Sequence, residues 1–319
     1  MPSPPETSES HAHADPAAPS AAPTRTDLKV GFACNNRCIF CAQGEKRRSM
    51  PRVAPDELLA RMKSAFAPGR GIVLTGGEPT VRKDIVHLVA EARRIGYRPI
   101  QVQTNGRMLS YGQLMADLVR AGASEISPAL HGSTAEIHDA LTKAPGSYEQ
   151  TVAGIRNAGK AGVSLITNTV VVKSNLHDLV ATVELLAELG AHQSQLAMVH
   201  PVGTAYEEYE AVVPRLDEAA PFVKAAIEAG KAKGLRMVVE ALPPCFLREH
   251  PDAIIEEAIP ETTVVDMDGA HFEFSEWRRD EGKAKGPPCE RCTRSSACEG
   301  PWREYPEKQG WEGYVPFEA

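Results

Sequence analysis

Seven cysteines fall into two groups, three near the start of the chain and four toward its end. Cys34, Cys38 and Cys41 lie in CNNRCIFC, so a single loop can bring three thiolates to one place. Sulfur donors of this kind suit an iron-sulfur cluster or zinc. The loop is short enough to wrap three corners of a cluster, and the missing fourth cysteine would leave one iron open to an outside ligand. The same residues also fit a zinc knuckle completed by a distant residue, or three reactive thiols without metal. One unit later, LTGGEP places Gly76, Gly77 and Glu78 at a turn. A Gly-Gly turn lets backbone approach a ligand closely, and Glu78 offers a carboxylate to an ammonium group, although GGEP equally makes a tight strand-to-helix connection. The second group is Cys289, Cys292 and Cys298 in CERCTRSSACEG, with Cys245 in LPPCF upstream. Four thiolates would close a tetrahedral shell for zinc or hold a second cluster. A lone cysteine after Pro-Pro can also be simply buried.

The elements that must position these residues follow from periodicity. From Leu28 to residue 235 short apolar runs alternate with amphipathic stretches about six times, the pattern of repeated βα units. Strands are expected at 28–32, 71–75, 98–104, 125–129, 164–172 and 194–200. Helices are expected at 55–66, 82–95, 111–121, 148–161, 175–189 and 216–233, with Asn175 as the cap of the fifth. The strands read as nearly continuous apolar runs, as parallel strands covered by helices do. Right-handed crossovers would curl the units into an open or closed barrel with ligands at the carboxyl ends of its strands. The fold class is therefore α/β, a partial (β/α)6 TIM-like barrel over 27–235. A small cysteine-containing metal-binding domain follows over 236–319, with strand-like pieces at 262–266 and 271–274. That tail is too thin in apolar residues to stand without help, and metal binding would supply folding energy. Residues 1–26 are rich in Pro, Ala and Ser and read as a disordered leader in which His11 and His13 are incidental.

Composition excludes several classes. The 319 residues are 42% apolar and 24% charged, with a net charge of -7. Residues 1–200 carry 21 basic and 18 acidic side chains, whereas 251–319 carry 8 and 16. A broad contact with nucleic acid or anionic lipid is disfavoured. No apolar run is long enough to span a membrane and the N-terminus lacks a secretion pattern, so a cytoplasmic protein is expected. No G-x-S-x-G, HExxH or Walker-type motif occurs.

The pairing of CNNRCIFC with LTGGEP resembles the radical S-adenosylmethionine (SAM) enzymes over roughly Lys29 to Lys233. The resemblance implies that Cys34, Cys38 and Cys41 hold a 4Fe-4S cluster whose open iron is chelated by SAM. It implies that Phe40 neighbours the adenine and that Gly76, Gly77 and Glu78 face the methionine amino group. QTNGR (103–107), SPALHG (127–132), NTVV (168–171) and MVHPVG (198–203) resemble the family's pocket wall. By that likeness Ser127 contacts the ribose or carboxylate of SAM, Asn168 lies in the wall, His200 sits beside the adenine, and Thr104 and Asn105 face substrate. His131 stands where the family often has Asp and reads as a structural histidine. CxxCxxxxxC followed by Gly resembles the SPASM and twitch tails, with Trp302 where the longer pattern has another cysteine, and implies an auxiliary 4Fe-4S cluster on Cys245, Cys289, Cys292 and Cys298. The implied reaction is reductive cleavage of SAM to a 5'-deoxyadenosyl radical that abstracts hydrogen from a peptide or protein substrate. A small molecule such as a sugar or cofactor precursor is the nearest rival, and a non-catalytic metal-binding scaffold the rival from another class. Electrons would come from a donor such as flavodoxin or ferredoxin.

Overall fold

The structure, a computed structural model, describes residues 24–44 and 46–318. Among the described residues nine strands form one sheet: β1 (Thr24–Lys29), β2 (Gly71–Thr75), β3 (Ile100–Thr104), β4 (Glu125–Pro128), β5 (Ser164–Val171), β6 (Gln193–Met198), β7 (Arg236–Glu240), β8 (Glu261–Val265) and β9 (His271–Glu273). Their order is β7-β6-β5-β4-β3-β2-β1-β8-β9. Neighbours pair in parallel, except β8 and β9, which are antiparallel. The expected α/β partial barrel is what the chain forms, because each parallel pair needs a long crossover and the helices supply it.

Helices Pro55–Ala65, Ile85–Ile95, Gly112–Ala121, Ser147–Gly159 and Leu216–Ala232 lie close to their expected places. Each lays an apolar stripe on the sheet: Ile85–Ile95 buries Ile85, Leu88, Val89 and Ala92. Burial of each large apolar side chain contributes about 2 kcal/mol. On the sheet side Leu28, Leu74 and Val102 are fully buried, so the core lies between the sheet and its outer helices.

Four features differ from the sequence expectation. First, the sheet crosses the expected border at 235/236, since β7 pairs with β6 and β8 pairs with β1. The strands at 236–240 and 261–265 need hydrogen-bonded neighbours, and the two open edges of the barrel, β6 and β1, provide them. Second, a helix at Ala135–Thr142 was not foreseen; Thr134 caps it by accepting the Ile137 N–H at 3.5 Å. Third, Asn175 lies in a 3-10 turn (Lys173–Asp178) ahead of helix Leu179–Glu188 instead of capping it. Its Oδ1 accepts the Val172 N–H, and its Nδ2 donates to the carbonyls of His131 and Val170. Fourth, β1 begins at Thr24, inside the expected leader, while residues 1–23, with His11 and His13, lie outside the described residues.

The inner face of the sheet is polar. Alternate residues of β3 and of the start of β6 are glutamines, and Gln101, Gln103, Gln193 and Gln195 line an interior cavity together with Asn168 of β5. A sheet that stays open has an inner face with no opposing layer to cover it, so period-2 polar residues stand there. Among the described residues no helix is long and apolar enough to cross a membrane.

Candidate functional site

The cysteine loop leaves the carboxyl end of β1 and is clamped on several sides. The Gly77 N–H donates to the Gly31 carbonyl at 2.7 Å and the Glu78 N–H to the Ala33 carbonyl at 2.9 Å. A Cβ on Gly77 would lie 2.4 Å from the Phe32 oxygen and 2.6 Å from that of Ala33, so this position must be glycine. Across the loop, the Thr204 N–H donates to the Cys41 carbonyl at 3.1 Å, and the N–H groups of Arg37 and Ile39 reach the carbonyls of Thr142 and Leu141. Arg107 Nη1 donates to Asn35 O and, at 2.9 Å, to Asn36 Oδ1, while Asn105 Nδ2 reaches Asn35 Oδ1 at 2.6 Å.

Held this way, Cys34, Cys38 and Cys41 face a cavity of about 420 Å³ whose wall includes Phe40, Gly76, Gly77, Asn168 and His200. Burial, together with the Cys34 and Cys41 sulfurs, pushes the Cys38 thiol up to about 12, with Arg47 opposing. Burial raises Cys34 as well, against the Asn36 N–H that donates to its sulfur at 3.4 Å. Thiols crowded this way become good donors only when a cation shares their charge, so the donor set fits an iron-sulfur cluster.

Two expected residues lie elsewhere. Glu78 is 2% exposed and does not line the cavity. Its Oε1 accepts the Thr80 N–H at 3.0 Å and hydroxyl hydrogens from Thr80 and, at 2.6 Å, Thr104; its Oε2 accepts the Asn105 N–H at 2.5 Å. Burial raises its carboxyl and these four donors pull it back. Glu78 therefore pins the GGEP turn to the TNG turn. The close backbone approach expected of Gly76 and Gly77 is likewise made to residues 31–33, although both glycines still border the cavity. Ser127 lines the adjoining interior cavity of about 390 Å³, which shares Gln103, Asn168 and Glu240 with the first.

Several wall residues carried no sequence prediction of this role. His131, expected to be structural, is 5% exposed, lines the cavity, and meets the Phe40 ring edge-on at 4.7 Å. Its Nδ1 accepts the Val170 N–H at 3.2 Å, which leaves the proton on Nε2. Burial, with His138 adding to it, holds His131 well below the usual histidine value. Trp302, from the tail, stacks on His200 at 3.9 Å and forms part of the cavity wall. Glu240 enters through β7, the strand assigned to the tail by sequence, with Gln195 Nε2 donating to its Oε2 at 2.5 Å. The alternation QSQL was the available signal for that inner face.

The four remaining cysteines, Cys245, Cys289, Cys292 and Cys298, line one small pocket with Pro243, Tyr314 and Phe317. Burial and the charges of Cys298 and Cys289 push the Cys245 thiol up to about 12, so the lone cysteine of LPPCF belongs with the other three. The Gly300 N–H donates to Cys298 Sγ at 3.3 Å. Among the described residues no three His, Cys, Asp or Glu side chains converge tightly enough to hold one bare ion.

Comparison with known proteins agrees with this geometry. A family profile described as "Radical SAM superfamily" matches residues 28–186. A curated relative from Metallosphaera sedula, "Probable GTP 3',8-cyclase", is 34% identical over 183 residues, covering 56% of this chain and 56% of the relative. The "AdoMet-dependent heme synthase" of Methanosarcina barkeri is 32% identical over 192 residues, 59% of this chain and 54% of the relative. The chain thus spans little more than half the length of the curated relatives it matches. Among solved structures, SuiB of Streptococcus suis bound to its precursor peptide SuiA superposes with a TM-score of 0.65 at 13% identity, covering 93% of this chain and 75% of that one. The anSMEcpe structure with bound AdoMet gives 0.64 at 15%, covering 93% of each. At such identities the superpositions establish the fold alone. The sequence match over the β1–β5 half of the barrel, where the cysteine loop lies, makes the chain a member of the radical SAM superfamily, whose members use a 4Fe-4S cluster and SAM.

Proposed function

We propose that Cys34, Cys38 and Cys41 hold a 4Fe-4S cluster, that SAM binds in the adjoining cavity, and that the enzyme abstracts hydrogen from a small polar molecule held in the barrel interior. When bound, the cluster and SAM supply one chemistry, reductive cleavage of the sulfonium to a 5'-deoxyadenosyl radical. The observation that carries the reading is that the two cavities adjoin, sharing Gln103, Asn168 and Glu240 in their walls, one bordered by the three cysteines and the other by polar side chains of the inner sheet face. The protein's task is to place a hydrogen and exclude water. Phe40 and His131 close one side, and His200 stacked on Trp302 closes another. Asn168, whose buried Oδ1 lacks a partner, stands at the junction of the two cavities.

The interior cavity supports a small polar substrate. Glu125 and Glu240 receive hydrogen bonds from Gln101 and Gln195, both uncharged, and so keep acceptor capacity for substrate hydroxyls or amines. Arg278, 2% exposed, gives Nη2 to Glu299 at 2.7 Å, yet its Nε and Nη1 have no acceptor. Buried donors of this kind call for a partner, and an oxyanion or carbonyl on the substrate would serve. Curated relatives named for a GTP cyclisation and a heme synthesis favour the same class. One observation favours the peptide or protein substrate expected from sequence: a cleft lined by Phe272, Phe274 and Trp277 opens beside Lys29 and His200, and SuiB was solved with a peptide. Membership of an enzyme family sets aside the non-catalytic scaffold.

Cys245, Cys289, Cys292 and Cys298 are proposed to hold an auxiliary 4Fe-4S cluster, because all four border one pocket and a cubane takes four thiolates on separate irons. Anaerobic reconstitution tests both sites. Two clusters give about eight irons per chain and absorbance near about 400 nm, and SAM with a reductant releases 5'-deoxyadenosine. Cys38→Ala should abolish that release, whereas Cys292→Ala should remove only the auxiliary iron. Zinc at both sites with no 5'-deoxyadenosine, or full release from Cys38→Ala, refutes the assignment.

A further inference from the structure

We infer that residues 314–318 form a latch over the auxiliary cysteine pocket, fastened by two arginines on the Phe317 ring, and that the latch controls exchange of the bound metal group with solvent. The inference rests on the auxiliary-cluster reading above. Tyr314, Pro316 and Phe317 line the pocket together with the four cysteines. The pocket's other walls are stiff. Pro243, Pro244, Pro288 and Pro301 have fixed φ angles, the Ala284 N–H donates to the Pro301 carbonyl at 3.0 Å, and Lys285 Nζ donates to the Ser295 carbonyl at 2.5 Å. Residues 314–318, by contrast, run without helix or strand, so this wall is the one free to swing.

Side chains on the surface hold the segment down. Arg248 Nη2 donates to the carbonyls of Val315 and Pro316, each at 2.7 Å, and the Thr293 N–H and hydroxyl donate to the Phe317 carbonyl at 2.8 Å and 3.2 Å. Two guanidinium groups lie over the Phe317 ring, with Arg248 Cζ 4.1 Å and Arg294 Cζ 4.7 Å from its centroid. Arg248, Thr293 and Arg294 are all exposed, so water competes for each of these contacts and the latch opens reversibly. The anchors also stand on the two cysteine-bearing segments: Arg248 follows Cys245 by three residues, and Thr293 and Arg294 follow Cys292 directly. A metal group shared by Cys245 and Cys292 sets the spacing of the two arginines, and Phe317 meets both only when that spacing is right. Loading therefore favours closure, and closure keeps solvent from the loaded pocket.

The test follows iron release from anaerobically reconstituted holoenzyme into excess ferrozine, a ferrous-iron chelator, in the presence of dithionite. Wild type should lose about eight irons in two phases, and the phase missing from Cys292→Ala belongs to the auxiliary site. Phe317→Ala should speed that phase at least about tenfold and leave the other within about twofold, because losing both guanidinium contacts shifts the latch toward its open state. Phe317→Tyr keeps the ring and should stay within about twofold of wild type in both phases. Auxiliary release from Phe317→Tyr as fast as from Phe317→Ala overturns the inference. If Phe317→Ala takes up no auxiliary iron, Arg248→Lys decides: it keeps the charge but loses the planar N–H group that reaches two carbonyls, so auxiliary release should be at least about threefold faster, and an unchanged rate is fatal. Wild type holding only about four irons refutes the auxiliary cluster and the latch with it, whereas about eight irons released at equal rates by wild type and Phe317→Ala refutes the latch alone.

Discussion

Gly77→Ala tests whether the cysteine loop is shaped by the turn beneath it. The added methyl would sit 2.4 Å from the Phe32 carbonyl oxygen and 2.6 Å from that of Ala33, roughly 1 Å inside normal contact. Both obstacles are backbone, so no rotamer change relieves the clash. Moving the segment breaks or lengthens the 2.7 Å and 2.9 Å bonds from Gly77 N and Glu78 N. Overpacking of this kind costs about 1–3 kcal/mol and each of the two weakened hydrogen bonds about 1 kcal/mol, giving roughly 3–5 kcal/mol in all. For a chain of 319 residues that corresponds to a Tm lower by about 5 °C. Because Cys34 follows Ala33 directly, the displacement reaches the first site. The variant should load about half the wild-type iron, roughly four instead of eight, while the auxiliary group keeps its share. Calorimetry and iron analysis after anaerobic reconstitution measure both. Gly162→Ala, where φ is 72° and no atom lies within 4 Å of the added carbon, should cost only about 1 kcal/mol and no iron. Wild-type iron in Gly77→Ala would show that the turn does not shape the loop.

Two further perturbations probe the buried polar groups. Arg278→Met leaves Glu299, whose side chain is 10% exposed, without its cation and should cost about 3–5 kcal/mol; adding Glu299→Leu should recover most of it in urea denaturation, and additive losses would contradict the pairing. His138 is fully buried and burial lowers it to about 4, so below the usual histidine value of about 6.5 the unfolded chain takes up a proton that the fold refuses. Stability is therefore lost as pH falls from about 6.5 toward 4, by roughly 2 kcal/mol at pH 5. His138→Asn keeps an acceptor for the His131 N–H and should lose about that much less between pH 7 and pH 5; identical slopes in denaturation would refute the account.

What the sequence made legible was chemistry with local spacing. CNNRCIFC and LTGGEP lie where one βα unit brings them together, and the regular alternation placed the barrel. What it hid depended on partners far along the chain. Glu78 looked like a free carboxylate because Thr104 and Asn105, which occupy it, lie about thirty residues downstream. Glu240 was assigned to the tail because an apolar strand of five residues says nothing about which sheet edge will accept it. Residues 135–142 escaped because the helix is short and follows a loop whose cap, Thr134, is a weak signal taken alone.

The same long-range pairing makes the tail part of the cavity walls. Tyr305 OH donates to the Val199 carbonyl at 3.0 Å, just past β6, and fixes the segment that carries Trp302 against His200. Trp302 follows Cys298 by four residues, with the Ala284 N–H donating to Pro301 O at 3.0 Å to tie the connection down. Glu299, next to Cys298, orients Arg278 at the floor of the interior cavity. In the proposed reading the auxiliary cluster holds the four cysteines of this segment together, beside apolar residues such as Leu247, Trp302 and Tyr305 that join the common core. Loss of that cluster in Cys292→Ala should therefore leave the first iron site loaded while Trp302 and Arg278 lose their fixed positions. SAM cleavage would continue without tight coupling to substrate, and 5'-deoxyadenosine would form in excess of product. Strict coupling retained in that variant would mean that barrel contacts alone hold these two walls.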